Sequence, residues 1–205
     1  MNYQLILASQ SPRRKELLGW IKVPFIIRPA DIDEEIDEQD PRKMVETLAL
    51  AKAQATLEMS PETNPLIIAS DTTVFLGQTI FAKPNNTEHA REILQELSGK
   101  THTVFTAVSI LSRERSRRFS VATEVTFQKI TEDVMAPYLE SGDSLDKAGA
   151  YGIQGMGLTF VKSIQGSYSN VVGFPLAEFI DELKAFLAPD LKKSSLDSEE
   201  WRALF

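Results

Sequence analysis

Apolar and polar positions along the chain alternate between the period of a strand and that of a helix. Apolar or β-branched runs predict strands at 3–8, 25–28, 65–70, 101–111, 118–130 and 158–164, with a tight hairpin over 74–82 across Gly77 and Gln78. Helical spacing predicts helices over 12–20, 41–59, 88–98, 132–141 and 174–187. This mixture predicts an α/β fold with a mixed sheet, divided into two lobes.

Capping residues set the expected helix ends. Pro41 suits a first helical turn, and Thr87 and Thr131 are expected N-caps. Pro137 is expected to kink or shorten its helix because it lacks a backbone N–H. The charged tail after residue 188 is expected to be partly disordered or loosely docked.

Composition narrows the class of protein. The chain has 205 residues, of which 42% are hydrophobic and 25% charged, as in ordinary soluble globular proteins. The absence of cysteine excludes disulfides and thiolate metal sites, and two histidines nearly exclude a multi-histidine zinc site. The first residues lack the basic region of a signal peptide, and no run approaches the roughly 20 apolar residues of a membrane span. We therefore expect a cytoplasmic protein without a membrane partner.

The net charge of −7 argues against broad binding to nucleic acid, which requires a basic face. A polyanionic ligand would instead need a local cationic pocket, helped by a divalent metal ion.

The stretch LILASQSPRRKELL, residues 5–18, offers such a pocket. It passes from a buried strand into a helix, with Ser11 placed to cap the helix and Pro12 at its first position. The helix N-terminus, together with Ser9 and Ser11, would attract an anion such as phosphate. Arg13 and Arg14 add planar donors for phosphate oxygens. An ordinary capped helix with solvated arginines explains the stretch equally well.

Two acidic positions are candidate metal ligands. The run DIDEEIDEQD at 31–40 reads first as a solvated loop, in which Glu34 is the carboxylate most suited to turn inward toward a magnesium ion. Asp71 directly follows the apolar run LIIAS, and we expect it at the carboxyl end of that strand, where open α/β sheets bind ligands. A role as a turn or cap residue stays open for Asp71.

Lys52 falls on the apolar stripe of its helix, seven residues after Val45 and four after Leu48, so it either snorkels or reaches an internal anion. Lys83 precedes a turn and is an exposed loop lysine or a second phosphate ligand. The Gly-rich stretch 142–157 permits close approach of a ligand to the backbone, and Gln154 within it could read a base edge.

Several motifs occur in an order that resembles the Maf family of nucleoside triphosphate pyrophosphatases. They are S-x-S-P-R-R after a strand, SDT, KP before a helix, LSGKTH, DKAGAYGIQGMG and VVGFPL, spread over residues 4–187. The resemblance implies two lobes around a deep cleft, a fold related to inosine triphosphate pyrophosphatases, and a homodimer. It places the enzyme domain at 1–188 and leaves 189–205 as a tail.

The resemblance also implies roles for individual residues. Asp71, the aspartate of SDT, would be the proton acceptor, while Arg13, Thr72 and Gln154 would govern base selectivity. With arginine at position 13 and DKAGAYGIQG present, the chain looks like the dTTP/UTP branch rather than the 7-methyl-GTP branch. It departs from the family where Ala51 replaces a frequent glutamate before Lys52.

The resemblance therefore implies hydrolysis of dTTP and UTP to a monophosphate and pyrophosphate, with modified pyrimidine nucleotides as further candidate substrates. The triphosphate would be bound by Ser9, Ser11, Arg14, Lys52 and Lys83. A divalent cation, Mg²⁺ or Mn²⁺, would be held by Glu34 and Asp71.

Three alternatives stay open. The chain could be a Maf enzyme with another base preference. It could also be a nucleotide-binding regulator of cell division or septum formation, which would not need Asp71. Nucleic-acid binding through the basic cluster RSRRF at 115–119 ranks third, because the net charge opposes it.

Overall fold

The structure is a computed structural model that describes residues 2–34 and 36–205. Its strands are β1 (Gln4–Leu7), β2 (Phe25–Ile27), β3 (Pro65–Leu76), β4 (Thr79–Phe81), β5 (Thr101–Leu111), β6 (Ser116–Phe127) and β7 (Val161–Gln165). Its α-helices are α1 (Pro12–Gly19), α2 (Pro41–Glu58), α3 (Thr87–Leu97), α4 (Glu132–Glu140), α5 (Tyr168–Val172) and α6 (Leu176–Lys193). Short 3-10 helices span Ala148–Ala150, Gly155–Phe160 and Trp201–Leu204.

One seven-stranded mixed sheet runs through the chain, which confirms the predicted fold class. The strand order is β2-β1-β3-β5-β6-β7, and β4 pairs with β3 outside this path. Strand β1 is parallel to β2 and β3, whereas the β3–β4 and β6–β7 pairs are antiparallel. The hairpin across Gly77 and Gln78 forms as predicted, with Val74 opposite Phe81.

Strand β3 is longer than the sequence indicated, and this corrects the position of Asp71. The apolar run was expected to end before Asp71, but β3 continues to Leu76 because its last residues pair with β4. Pairing with β1 stops at Ile68, whose carbonyl accepts a bond from the Ala8 N–H at 2.8 Å. Asp71 therefore lies within β3, beyond the point where the parallel neighbour ends.

The chain forms two compact units. Unit 1 comprises Met1–Asp71, Ala107–Ser120 and Gly173–Phe205. Its core contains β1 and β3 packed on α2, through Ile6, Ile67 and Ala53, each fully buried. The predicted stripe on α2 is confirmed for Val45 and Leu48, and Ala49, Ala53 and Thr56 of the same helix are buried as well.

Unit 2 comprises Thr72–Thr106 and Val121–Val172. Four apolar residues of α3 are buried in it: Ala90, Ile93, Leu94 and Leu97. An aromatic cluster completes its core, where Phe127 packs edge-on against Tyr151 with ring centroids 4.7 Å apart. The cleft expected between two lobes stays a prediction.

Several helices and one strand differ at their ends from what the sequence predicted. Helix α3 is capped by Asn86, not Thr87, because the Asn86 Oδ1 accepts a bond from the His89 N–H at 2.8 Å. Thr131 precedes α4 without a side-chain capping bond, and α4 continues past Pro137 to Glu140. The strand expected over 158–164 begins only at Val161, since the residues before it form a 3-10 helix.

The end of the chain is packed on unit 1. Helix α6 does not end at residue 187 but passes through Pro189 to Lys193, so the boundary placed after residue 188 falls inside a helix. Trp201 and Leu204 are buried, and the Tyr3 N–H donates to the Leu204 carbonyl at 2.6 Å. Burial of these side chains within the charged tail contrasts with the loose docking that its charge suggested.

Candidate functional site

The turn between β1 and α1 forms as the sequence predicted. Pro12 begins α1, and the Ser11 hydroxyl caps it by accepting a bond from the Arg14 N–H at 3.5 Å. The Ser11 N–H donates to the Ser9 hydroxyl at 3.2 Å, which holds the two serines side by side. This turn thus presents a helix N-terminus and two hydroxyls at one place, an arrangement that suits an anion.

Two hydrogen-bond contacts hold the Arg14 side chain in place. Its Nε donates to the Gly173 carbonyl at 3.0 Å, and its Nη1 lies 3.5 Å from the Ser9 hydroxyl. Burial lowers the pKa of the Arg14 guanidinium, and the negative charge of Asp71 acts against that shift. Arg13, its neighbour on α1, is partly exposed.

A lysine and two carboxylates form the second part of the site in unit 1. The Lys52 Nζ lies 2.6 Å from the Asp71 Oδ1 and 2.8 Å from the Glu34 Oε1. The side chains of Lys52 and Asp71 are 13% and 12% exposed, whereas that of Glu34 is half exposed. The stripe position of Lys52 on α2 therefore directs its ammonium to both predicted metal ligands.

The remaining predicted residues belong to unit 2. Thr72 is partly buried, and its hydroxyl lies 3.0 Å from the hydroxyl of Thr106. Lys83 is exposed after β4, and Gln154 is partly exposed just before the 3-10 helix at Gly155–Phe160. Their roles stay predictions.

Tight packing determines the path of the Gly-rich stretch around Gln154. The buried ammonium of Lys147 lies 2.8 Å from the Asp143 Oδ1 and 2.6 Å from the Asp146 Oδ1. A Cβ on Gly157 would lie 2.2 Å from the Gly152 carbonyl oxygen, so only glycine fits there. The Asp146 and Lys147 side chains thus serve local structure in this stretch.

The donor set in unit 1 fits a divalent cation in type. Magnesium is commonly bound by one or two carboxylates together with substrate phosphates, and the oxygens of Glu34 and Asp71 already converge on a single positive charge. Within residues 2–34 and 36–205, no three histidine or acidic side chains form a metal centre by themselves.

Sequence reasoning missed the residues that hold this site in place. The Gly173 carbonyl accepts bonds from both the Arg14 Nε and the Ser70 hydroxyl, at 3.0 and 3.3 Å. Gly173 has a φ of +109°, which favours glycine. It occurs in the motif VVGFPL, so the signal was visible, but its partner Arg14 is 159 positions away.

None of the helices in the described part of the chain combines the length and hydropathy needed to cross a bilayer.

Two solved structures show a distant likeness to this chain. The Ham1 protein of Staphylococcus aureus aligns with a TM-score of 0.45 and 12% identity, covering 60% of this chain and 71% of that one. A nucleoside-triphosphatase/dITP/XTP pyrophosphatase from Mycobacterium abscessus aligns with a TM-score of 0.40 and 15% identity, covering 62% and 75%. At this level the likeness carries no functional argument.

Comparison of sequences is far more specific. The dTTP/UTP pyrophosphatase of Bacillus cereus (strain G9842) is 46% identical over 184 residues, which is 89% of this chain and 95% of that protein. The protein of the same name from Bacillus mycoides (strain KBAB4) is 47% identical over the same shares. The family model described as Maf-like protein matches residues 4–186. The chain belongs to the Maf family.

Proposed function

We propose that the protein hydrolyses dTTP and UTP to the nucleoside monophosphate and pyrophosphate. The observation that carries this proposal is the identity of 46% to a relative named dTTP/UTP pyrophosphatase, over 95% of that relative's length. The site in unit 1 supports it, because cationic, hydroxyl and carboxylate groups converge there as phosphate chemistry requires. Modified pyrimidine nucleotides are further candidate substrates.

The phosphates would be bound by the turn before α1. Ser9 and Ser11 offer hydroxyls beside a helix N-terminus, and Arg14 offers charged N–H groups held in place by Gly173. Charge-assisted bonds from a guanidinium to phosphate are stronger than neutral ones. Lys52 and Lys83 would add two ammonium groups.

Asp71 would accept the proton of the attacking water. Attack at the α-phosphorus forms a new P–O bond and breaks the bond to the α,β-bridging oxygen, so pyrophosphate leaves. The position of Asp71 supports this role, because its carboxylate is largely buried and is fixed 2.6 Å from the Lys52 ammonium. That ammonium would stabilise the negative charge that builds up on the phosphates.

Glu34 and Asp71 would hold the divalent cation, Mg²⁺ or Mn²⁺. When bound, such a cation supplies electrostatic stabilisation of phosphate oxygens. The Lys52 ammonium forms an ion pair with each of the two carboxylates, and a bound cation would replace it there and leave it to the substrate.

Base selectivity would rest on Arg13, Thr72 and Gln154. We further propose that the enzyme works as a cytoplasmic homodimer without a nucleic-acid partner. The last point is supported by the cluster at 115–119, in which Arg115 pairs with Asp190 and Arg117 with Glu182. Those two arginines are therefore engaged within unit 1.

The test is pyrophosphate release with magnesium across dTTP, UTP, CTP, GTP, ATP and 7-methyl-GTP. We expect rapid release from dTTP and UTP. The variant Asp71→Asn keeps the side-chain shape but loses the charge, and it should lower kcat by at least about a hundredfold. Asp181→Asn, an exposed site on α6, is the matched control.

Activity centred on another base would refute the selectivity while leaving the reaction class intact. Binding of nucleotides without release of pyrophosphate would favour a regulatory protein instead. Near-normal turnover by Asp71→Asn would exclude Asp71 as the proton acceptor.

A further inference from the structure

The short loop that carries Gln154 in unit 2 is closed at its base by two glycines. A Cβ on Gly157 would lie 2.2 Å from the Gly152 carbonyl oxygen, so the two backbone segments are in direct contact there. Gln154 lies between them in the chain and is partly exposed. The position of its side-chain amide therefore depends on how firmly this base is held.

Gly152 is held on two further sides. Its N–H donates to the hydroxyl of Tyr138, a buried side chain of α4, at 3.1 Å. A Cβ on Gly152 would lie 2.6 Å from the Cε of Lys147 and 2.9 Å from its Cδ, so the Lys147 stem lies directly against the Gly152 α-carbon. The Lys147 side chain thus forms a wall against which the base of the loop packs.

The ammonium group anchors the far end of this wall. It donates to the backbone carbonyl and the Oδ1 of Asp143, the latter at 2.8 Å, and to the Oδ1 of Asp146 at 2.6 Å. An ammonium carries three hydrogens, and these three acceptors engage them all. The Lys147 side chain, which is 8% exposed, therefore connects the turn at 143–146 to Gly152 and has no hydrogen left for a substrate phosphate.

The chain between Lys147 and Gly152 is docked on the hairpin of β3 and β4. The Gly149 N–H donates to the Ala82 carbonyl at 3.3 Å. Gly149 has a φ of +71°, and a Cβ there would lie 2.8 Å from the Val74 Cγ2, so this segment is packed without spare room. Because the segment before Gly152 is fixed in this way, any displacement of Gly152 would be passed on to the loop that carries Gln154.

We infer that Lys147 is the positioning residue for Gln154, and that it acts through its contact with Gly152. The inference rests on the proposed function, in which Gln154 contributes to the selection of the base. It deepens that proposal by naming the group that holds the selecting amide in place. Lys147 thus serves base selectivity without touching the nucleotide.

The test is a double-mutant cycle on the ratio of kcat/KM for UTP to that for CTP, since these nucleotides differ only in the base. Lys147→Met removes the ammonium but keeps an apolar stem, and Gln154→Ala removes the amide. We expect Lys147→Met to lower the ratio by roughly two- to tenfold, the effect of weakening one hydrogen bond to the base. In the Gln154→Ala background the same change should leave the ratio unaltered, because the group it positions is gone.

A merely structural role of Lys147 would lower kcat/KM for both nucleotides by the same factor in both backgrounds, and this result would overturn the inference. A ratio that Gln154→Ala leaves unchanged would overturn it as well. Lys129→Met, at an exposed site of unit 2, is the matched control and should keep the wild-type ratio. The side chains of Asp143 and Asp146 are 47% and 61% exposed, so water can solvate both carboxylates and Lys147→Met should fold.

A second variant perturbs the same contact from its other side. Gly152→Ala places a methyl group against the Lys147 stem and should lower the ratio as Lys147→Met does, so it takes the place of Lys147→Met in the cycle if that variant does not fold. Calorimetry with non-hydrolysable α,β-imido analogues of UTP and CTP gives the same ratio as relative affinities, without turnover. Loss of hydrolysis alone would refute the proposed function, whereas equal binding of the two analogues by the wild-type protein would refute the inference.

Discussion

Replacing Trp201 by alanine tests the packing of the tail, residues 189–205. The charge of this segment predicted loose docking, whereas the structure buries Trp201 and Leu204. Trp201 is 2% exposed, and its ring lies under the Arg202 guanidinium at 4.4 Å. Arg202 also donates through its Nε to the Ile21 carbonyl at 2.9 Å. The family model ends at residue 186, so this tail lies beyond the matched region.

The expected loss of stability follows from this burial. Truncating a buried tryptophan to alanine costs about 3–5 kcal/mol, which combines lost hydrophobic burial with the cavity that remains. For a chain of this size, each kcal/mol shifts Tm by about 2–4 °C. We therefore expect Trp201→Ala to melt roughly 6–20 °C below the wild type. Trp20, the other tryptophan, is 56% exposed and provides the matched control.

Urea unfolding followed by far-UV circular dichroism measures the free energy of unfolding of both variants. Trp20→Ala should stay within about 0.5 kcal/mol of wild type, as most surface substitutions do. Each variant also retains a single tryptophan. Iodide should quench the fluorescence of the exposed Trp20 in Trp201→Ala and should not quench that of the buried Trp201 in Trp20→Ala. Equal stability losses, or equal quenching, would show that the tail does not dock as described.

Two further predictions concern charges inside the units. Lys52→Met leaves the Asp71 carboxylate without its ammonium partner and should lower the free energy of unfolding in urea by roughly 1–3 kcal/mol. The control Lys43→Met, at an exposed site of α2, should lower it little. Equal losses of stability in the two variants would refute the ion pair. Burial lowers the pKa of His102 from 6.5 to about 4. As the pH falls, His102 therefore binds a proton in the unfolded chain before it does so in the folded protein. The stability that depends on neutral His102 is complete above pH 6.5 and is lost as the pH falls to about 4. His102→Gln should remove about 3 kcal/mol of the acid sensitivity between pH 7 and 4, and an unchanged pH profile would contradict this.

Short-range features of the site were predictable from the sequence because they depend on residues a few positions apart. The cap by Ser11 and the first-turn position of Pro12 depend only on neighbouring backbone groups. The inward direction of Lys52 follows from its helical spacing to Val45 and Leu48, since residues four and seven apart share a helix face.

Predictions failed where neighbours compete or where distant segments pair. Asn86 and Thr87 are both good capping residues, and only the chain path shows that Asn86 reaches the His89 N–H. Asp71 was placed at a strand end because its own stretch turns polar there, yet pairing with β4 extends β3 to Leu76. Strand length thus depends on a partner segment as well as on local composition.

The sequence by itself determined the α/β pattern, the family and the residue types gathered for phosphate chemistry, because periodicity and motifs are carried by short stretches of chain. Only the tertiary structure decided that Gly173 holds Arg14 and that Trp201 is buried. Each of these depends on contacts between residues more than 150 positions apart. Such contacts are made by folding, which brings together groups that leave no joint signal in a single sequence.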